Sequence, residues 1–99
     1  MFTVKINDDL LANLREMLED EDEGTVVRVR EYKLGGGCRT RIILGLAIEE
    51  LDEEEDETIE MQGVTFAAES DFLLRYGREF AVALEDGRMV VEALAADQD

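Results

Sequence analysis

The amino-acid sequence predicts a small, mainly antiparallel α+β domain with an N-terminal helix and a second, shorter helix late in the chain. Three observations predict this class. Apolar residues at helical spacing follow Asn7, short β-prone segments fill most of the later chain, and Asp86-Gly87 separates the last two as a hairpin turn. A chain of 99 residues fits a single domain, which we place at residues 1–94, with residues 95–99 as a flexible tail.

The first helix is predicted between a capping residue and a glycine. Asn7 can cap the helix, and Asp8 and Asp9 suit its positively polarised amino end. Gly24, after a run of acidic residues, supplies a stop. One apolar face follows from the helical spacing of Leu10, Leu11, Leu14, Met17 and Leu18.

Two strands and a glycine-rich loop are predicted in the middle of the chain. Residues 25–32 are rich in valine, and residues 33–39 contain three consecutive glycines followed by Cys38. Residues 40–48 are apolar at nearly every position, which is typical of a strand buried on both faces. We expect the two strands to form a hairpin with Cys38 near its tip.

The remaining elements follow from turn signals. Residues 49–57 are predicted to be an acidic loop, and Gln62-Gly63 a two-residue turn between strands. Ser70 can cap a short helix that runs to residue 76 and ends at Gly77. A final hairpin turns at Asp86-Gly87, which gives about six or seven short strands in all.

The charge balance excludes two classes of partner. The chain has 26 acidic and 10 basic residues, a net charge of −16, and such a surface is repelled by nucleic acid and by anionic membranes. The longest apolar run, residues 42–48, is too short to span a bilayer. No secretion signal is visible, and one cysteine cannot form an internal disulfide. We therefore predict a soluble, cytoplasmic protein.

Half of the positive charge lies near Cys38, in a stretch whose only acid is Glu31. Cations favour the reactive thiolate, and the adjacent glycines leave it accessible. The alternative is that Cys38 is a loop or packing residue without a role. The predicted partner contact consists of Arg28, Arg30, Lys33, Arg39 and Arg41.

The order of these elements resembles the HesB/IscA family of A-type iron–sulfur carriers. Three local features carry the resemblance: Ile6-Asn7-Asp8 opening the helix, Gly35-Gly36-Gly37-Cys38 after the first strand of the hairpin, and Gln62-Gly63-Val64 leading into the late strands. The resemblance covers roughly residues 3–94. It implies the fold of that family, and members of the family are often dimers or tetramers, so a homodimer is one expectation.

The resemblance also implies a ligand set of three cysteines for iron or an iron–sulfur cluster, of which this chain has one. Cys38 stands at the first position, but Arg39-Thr40 replaces the usual Ser-Gly, and residues 92–99 contain no Cys-Gly-Cys. Clusters typically use four thiolates. We therefore expect Cys38 to ligate iron or a cluster only between subunits or with outside ligands, and not to hold a stable cluster on its own.

These observations favour an accessory protein of iron–sulfur cluster or sulfur metabolism, with partners from those pathways. The alternative is a metal-free interaction module that binds a basic partner through its acidic faces. An enzyme is not expected, because the chain has no histidine and no visible nucleophile–base arrangement. The three glycines lack the lysine of a nucleotide loop, and the acidic loop lacks the ligand spacing of a calcium loop.

Overall fold

The computed structural model describes residues 1–94, and the predicted tail at residues 95–99 lies outside them. The mixture of strands and two helices confirms the α+β class. A short 3-10 turn, Gly37–Arg39, lies between β2 and β3. The elements are β1 (Thr3–Lys5), α1 (Asp8–Glu19), β2 (Thr25–Leu34), β3 (Arg41–Glu50), β4 (Asp56–Met61), β5 (Val64–Glu69), α2 (Ser70–Tyr76), β6 (Glu79–Glu85) and β7 (Arg88–Ala93).

All these strands form one sheet in the order β1-β6-β7-β3-β2-β5-β4. The pairs β2–β3, β3–β7, β4–β5 and β6–β7 are antiparallel, as predicted for most of the sheet. Two pairs, β1–β6 and β2–β5, are parallel and were not predicted. Parallel neighbours lie far apart in sequence, so no short turn between them indicates that they pair.

Helix α1 begins as the sequence predicts. The backbone N–H of Leu10 donates to Asn7 Oδ1 at 2.8 Å, which satisfies one of the free donors of the first turn. The apolar face is shorter than predicted, because Met17 is 49% exposed. The helix ends at Glu19, and Gly24, with φ +88°, lies in the connection to β2 rather than at the helix end.

The core lies between the helices and one face of the sheet. Three aromatic rings join its parts: Phe80 of β6 contacts Phe2 edge-on at 6.4 Å between centroids and stacks on Phe72 of α2 at 5.5 Å. The leucines of α1, the even-numbered residues of β5, and Val27 and Val29 of β2 also belong to it. These contacts are the main source of stability in a domain of this size.

Strand β3 differs from its predicted burial on both faces. Gly45 is its only buried residue, and Ile42 is 50% exposed. The physical reason is the position of the helices, which pack mainly against β5 and β2. The most apolar strand of the chain is therefore only partly covered within the described structure.

The turns agree with prediction, whereas the cap of α2 does not. Gln62-Gly63 and Asp86-Gly87 have positive φ at both residues, as in hairpins of type I′. Ser70 lies within α2, and Glu69 occupies the cap position without a side-chain bond. Instead, the backbone N–H and the hydroxyl of Ser70 both donate to the Glu55 carbonyl, at 3.0 and 3.2 Å.

The acidic loop is shorter than predicted. β3 continues through Glu50 and β4 begins at Asp56, which leaves residues 51–55 as the connection. Between residues 1 and 94, no helix has the length and apolar content that crossing a membrane requires.

Candidate functional site

The β2–β3 hairpin carries the residues that the sequence singled out. The two strands pair continuously from Thr25↔Glu50 to Leu34↔Arg41, a ribbon about 30 Å long at the usual rise per residue. β3 has only one registered pair with β7, Leu44↔Val91. Cys38 lies in the turn that joins the two strands, beyond their last pair, Leu34↔Arg41.

Glycine is required at the first position of the turn. Gly35 has φ +83°, and a Cβ there would lie 2.8 Å from the Arg39 carbonyl oxygen. A side chain would be strained by both the backbone angle and the contact. Gly36 has no such constraint, since it is extended and a Cβ would meet nothing within 4 Å. The chain thus turns back on itself immediately before Cys38.

Cys38 is an exposed free thiol in the 3-10 turn. Hydrogen bonds from Arg39 N–H to the Gly36 carbonyl and from the Thr40 hydroxyl to the Gly37 carbonyl, both 3.2 Å, close this turn. Throughout residues 1–94, no three cysteine or carboxylate side chains are grouped closely enough to hold a metal ion. Cys38 is accessible but has no co-ligands among residues 1–94 of one chain, so these residues do not fit an iron–sulfur cluster.

The structure brings three of the five predicted basic residues to this turn: Lys33, Arg39 and Arg41. All three are exposed, and in the described part of the chain none forms an ion pair. Two apolar side chains are exposed beside them on opposite faces of the hairpin: Ile42, 50% exposed, beside Lys33, and Leu34, 38% exposed, beside Arg41. We call these residues the tip surface: Lys33, Leu34, Cys38, Arg39, Arg41 and Ile42.

Arg28 is not brought to the tip surface. It is nearly buried, about 20 Å from Leu34 along an extended strand. Its Nε donates to Glu49 Oε1 at 2.6 Å, one terminal nitrogen pairs with Asp56, and the other donates to the Glu50 carbonyl at 2.8 Å. The hydrogen bond to Asp56, more than any other contact, raises the pKa of Arg28 above its usual value.

These bonds give Arg28 a structural role. The side chain of Asp56 is fully buried and also accepts the N–H of Asp52 at 2.8 Å. Arg28 therefore fixes the ends of the 51–55 connection against β2. Its positive charge is fully engaged inside the molecule and is not presented to a partner.

Arg30 also lies away from the tip surface. Its guanidinium donates to Glu49 Oε2 at 2.8 Å and lies 5.2 Å from the centroid of the Tyr32 ring. Both contacts are partly exposed, so they contribute modestly to stability. The predicted group of five cations is thus divided between a free set at the tip and an internally paired set at the base of the hairpin.

Sequence reasoning missed a second polar cluster, formed by Glu31, Arg75 and Tyr76. Arg75 and the Tyr76 hydroxyl both bond to Glu31 Oε2, the latter at 2.6 Å. The Tyr76 bond and then the Arg75 bond lower the pKa of Glu31, and the bond to Glu31 raises the pKa of Tyr76. The partners are 44 and 45 residues apart, and no local spacing could reveal them.

It also missed the packing of Tyr32. The Tyr32 ring lies across Gly45, where a Cβ would be 2.9 Å from a ring carbon, and its hydroxyl donates to the Leu46 carbonyl at 2.8 Å. A glycine inside an otherwise apolar strand often marks such a close approach, and Gly45 is the sequence signal that could have indicated it.

Comparison with known proteins shows the fold and nothing finer. No protein-family model matches the chain, and no curated protein matches it either. The fold is similar to that in the solution NMR structure of a protein from Aquifex aeolicus, with a TM-score of 0.59, 20% sequence identity, and coverage of 97% of this chain and 94% of that one. The similarity extends over nearly the whole of both chains.

Proposed function

We propose that this protein is an accessory protein of iron–sulfur cluster or sulfur metabolism that contacts its partner through the tip surface. The observation that carries the proposal is the combination of exposed Leu34 and Ile42, an accessible Cys38 and three cations that form no ion pair within residues 1–94, all at one end of the hairpin. The assignment to this metabolism comes from the resemblance to the HesB/IscA family, in which Cys38 matches the first cysteine.

The chemistry of the tip surface fits a protein partner. Exposed apolar side chains gain about 25 cal/mol per Å² when a partner removes them from water. The cations concentrate positive charge at the hairpin end of a chain of net charge −16, which favours a partner with an acidic groove that receives this end from both faces and has apolar walls for Leu34 and Ile42. A thiol between these groups would face the partner directly.

The number of thiolates in the chain limits its ability to bind an iron–sulfur cluster. One chain offers one thiolate where clusters typically use four. The carboxylates, although abundant, are hard ligands and match iron–sulfur clusters poorly. We therefore propose that Cys38 meets iron or a cluster only where a second subunit, the partner or a small thiol completes the ligand set.

Binding to purified iron–sulfur assembly proteins tests the contact. Isothermal titration against a cluster scaffold protein and a cysteine desulfurase should show binding that Leu34→Ala/Ile42→Ala weakens at least tenfold. The matched control is Leu84→Ala, which truncates a leucine 58% exposed on β6. Equal affinity of the tip variant and wild type, or no binding to either protein, would remove the proposal.

Anaerobic reconstitution tests separately whether Cys38 binds a cluster only when outside ligands are present. With iron and sulfide alone, the desalted chain should retain no cluster absorbance. With glutathione added, absorbance that disappears in Cys38→Ser is expected. A stable cluster on the chain alone, unchanged in Cys38→Ser, would contradict the proposed role of this thiol.

The second candidate is a metal-free interaction module of another pathway, favoured by the charge of −16. Such a module would bind a basic partner through the acidic faces of α1 and the 51–55 connection. Its binding would survive Cys38→Ser and Leu34→Ala/Ile42→Ala and would be lost at high salt, because exposed charges are screened.

A further inference from the structure

A second surface lies at the free edge of β2, whose far end, Lys33 and Leu34, also belongs to the tip surface. β2 pairs with β3 along its whole length, but with β5 only at Val27 and Arg28. From Val29 to Leu34, no described strand pairs with its other side. Such an edge presents unpaired N–H and C=O groups, which can pair with another extended chain.

One bond shows that this edge is accessible. The Glu31 carbonyl accepts a hydrogen bond from the Nε of its own neighbour, Arg30, at 3.2 Å in an exposed position. The bond is long for an N–H···O contact, and the guanidinium has Glu49 as a second partner. A strand donor could therefore replace the Arg30 donor without leaving Arg30 unpaired.

A cleft of about 330 Å³ lies beside the edge, where β5 leaves β2 and continues into α2. Val29 and Arg30 form part of one wall, and Glu69, Asp71 and Phe72 form part of the other. This volume is at the lower limit for ligand sites, which span about 300–1,000 Å³. It suits one narrow extended segment rather than a folded element.

The charges of the cleft select the chemistry of that segment. Its three arginines are engaged: Arg28 and Arg30 with Glu49, and Arg75 with Glu31. Glu69 and Asp71 are exposed and form no ion pair within residues 1–94. The charged side chains of the cleft that form no ion pair within residues 1–94 are therefore the two acidic ones, Glu69 and Asp71.

We infer that the Val29–Leu34 edge accepts an extended, basic segment of a partner protein as an added strand. Main-chain hydrogen bonds to β2 would supply much of the affinity, as in other cases of strand addition. Lysine or arginine side chains of the segment would pair with Glu69 and Asp71. A second copy of this chain is the less suitable occupant, because each copy has a net charge of −16.

The test uses an acetylated and amidated hexapeptide of alternating valine and lysine as the probe. Titration into the labelled protein at low salt should slow amide hydrogen exchange within Val29–Leu34. Glu69→Gln/Asp71→Asn should weaken binding about fivefold, the size expected for two lost surface ion pairs. The matched control, Glu60→Gln/Glu85→Gln, makes the same charge change at exposed residues of β4 and β6 and should bind like wild type.

Two further peptides separate strand addition from simple attraction of charge. A peptide with methylated backbone nitrogens keeps the lysines but loses its donors, and it should not bind. A valine–glutamate peptide should not bind either. Absence of binding, protection elsewhere in the chain, equal affinity of the methylated peptide, or self-association through this edge would overturn the inference.

Discussion

At the scale of single residues, the tip of the hairpin depends on a backbone that only glycine adopts easily. Gly35 combines φ +83° with a close approach to the Arg39 carbonyl, whereas Gly36 has neither constraint. Cys38 is placed by this turn and not by packing, since no residue of the turn is buried. The position of the thiol therefore depends on Gly35 and also on Gly37, which directly precedes Cys38 and has φ +60°.

Gly35→Ala should destabilise the protein by about 1–3 kcal/mol, the usual cost of holding a residue in a disfavoured backbone region. Gly36→Ala is the matched control, since a Cβ there meets open space, and its effect should be within about 0.5 kcal/mol. Urea denaturation of both variants measures the difference. Equal stability of the two variants would show that the turn does not require the Gly35 conformation.

The Glu31 carboxyl gives a prediction about pH. Its pKa is lowered first by the Tyr76 hydroxyl and then by Arg75. A lowered pKa contributes stability above the unfolded-state pKa, and this stability is lost as the pH falls through the folded value. Tyr76→Phe removes the larger cause, so the pKa of Glu31 should rise toward the ordinary value of 4.5.

Carboxyl-carbon NMR titration measures this pKa directly. Tyr32→Phe is the control, because its hydroxyl bonds to the Leu46 carbonyl and not to Glu31. The Tyr76→Phe variant should also lose less stability than wild type on acidification through this range. An unchanged Glu31 titration in Tyr76→Phe would show that the hydroxyl does not stabilise the carboxylate.

At the scale of elements, the β2–β3 hairpin has a fixed base and a free end. The base is fixed by Arg28, whose partners Glu49 and Asp56 belong to β3 and β4. The free end carries the tip surface. This division explains why cations close together in sequence have different roles in the molecule.

Arg28→Met should cost about 3–5 kcal/mol, because removing one partner leaves a buried charge uncompensated. The charge concerned is Asp56, whose side chain has no exposed surface. Arg30→Met is the matched control, and it breaks a largely exposed pair that is worth about 0–1 kcal/mol. Thermal or urea unfolding distinguishes the two, and similar losses would contradict the structural role assigned to Arg28.

At the scale of the whole molecule, the dominant feature is an excess of acidic charge. The ion pairs of the described chain engage four acidic side chains, Glu31, Glu49, Asp56 and Glu57, out of the 24 acids in residues 1–94. Most of these acids therefore form no ion pair within the described chain and repel one another. Self-repulsion of this kind destabilises a compact chain.

Salt should therefore stabilise the protein. Screening shortens the reach of the repulsion from about 30 Å at 0.01 M to about 3 Å at 1 M salt. The urea midpoint should rise as sodium chloride increases over this range. A falling midpoint would mean that the few ion pairs contribute more to stability than the repulsion costs.

The sequence was sufficient to predict the features that depend on residues close together in the chain. The Asn7 cap, the hairpin around Cys38 and both glycine turns were predicted because each depends on residues within a few positions. The parallel pairing of β2 with β5, the burial of Arg28 and the contacts of Glu31 could not be predicted, since they join distant segments. Incomplete burial of β3 was missed because an apolar run does not reveal what covers it.

The most direct test of the proposed contact maps the binding surface on the protein itself. An isotope-labelled chain is titrated with a purified iron–sulfur cluster scaffold protein, and amide chemical-shift changes are followed by NMR. If the tip surface is the contact, the largest changes will cluster at residues 33–42 and disappear in Leu34→Ala/Ile42→Ala. Changes centred on α1 or the 51–55 connection, with residues 33–42 unaffected, would contradict it.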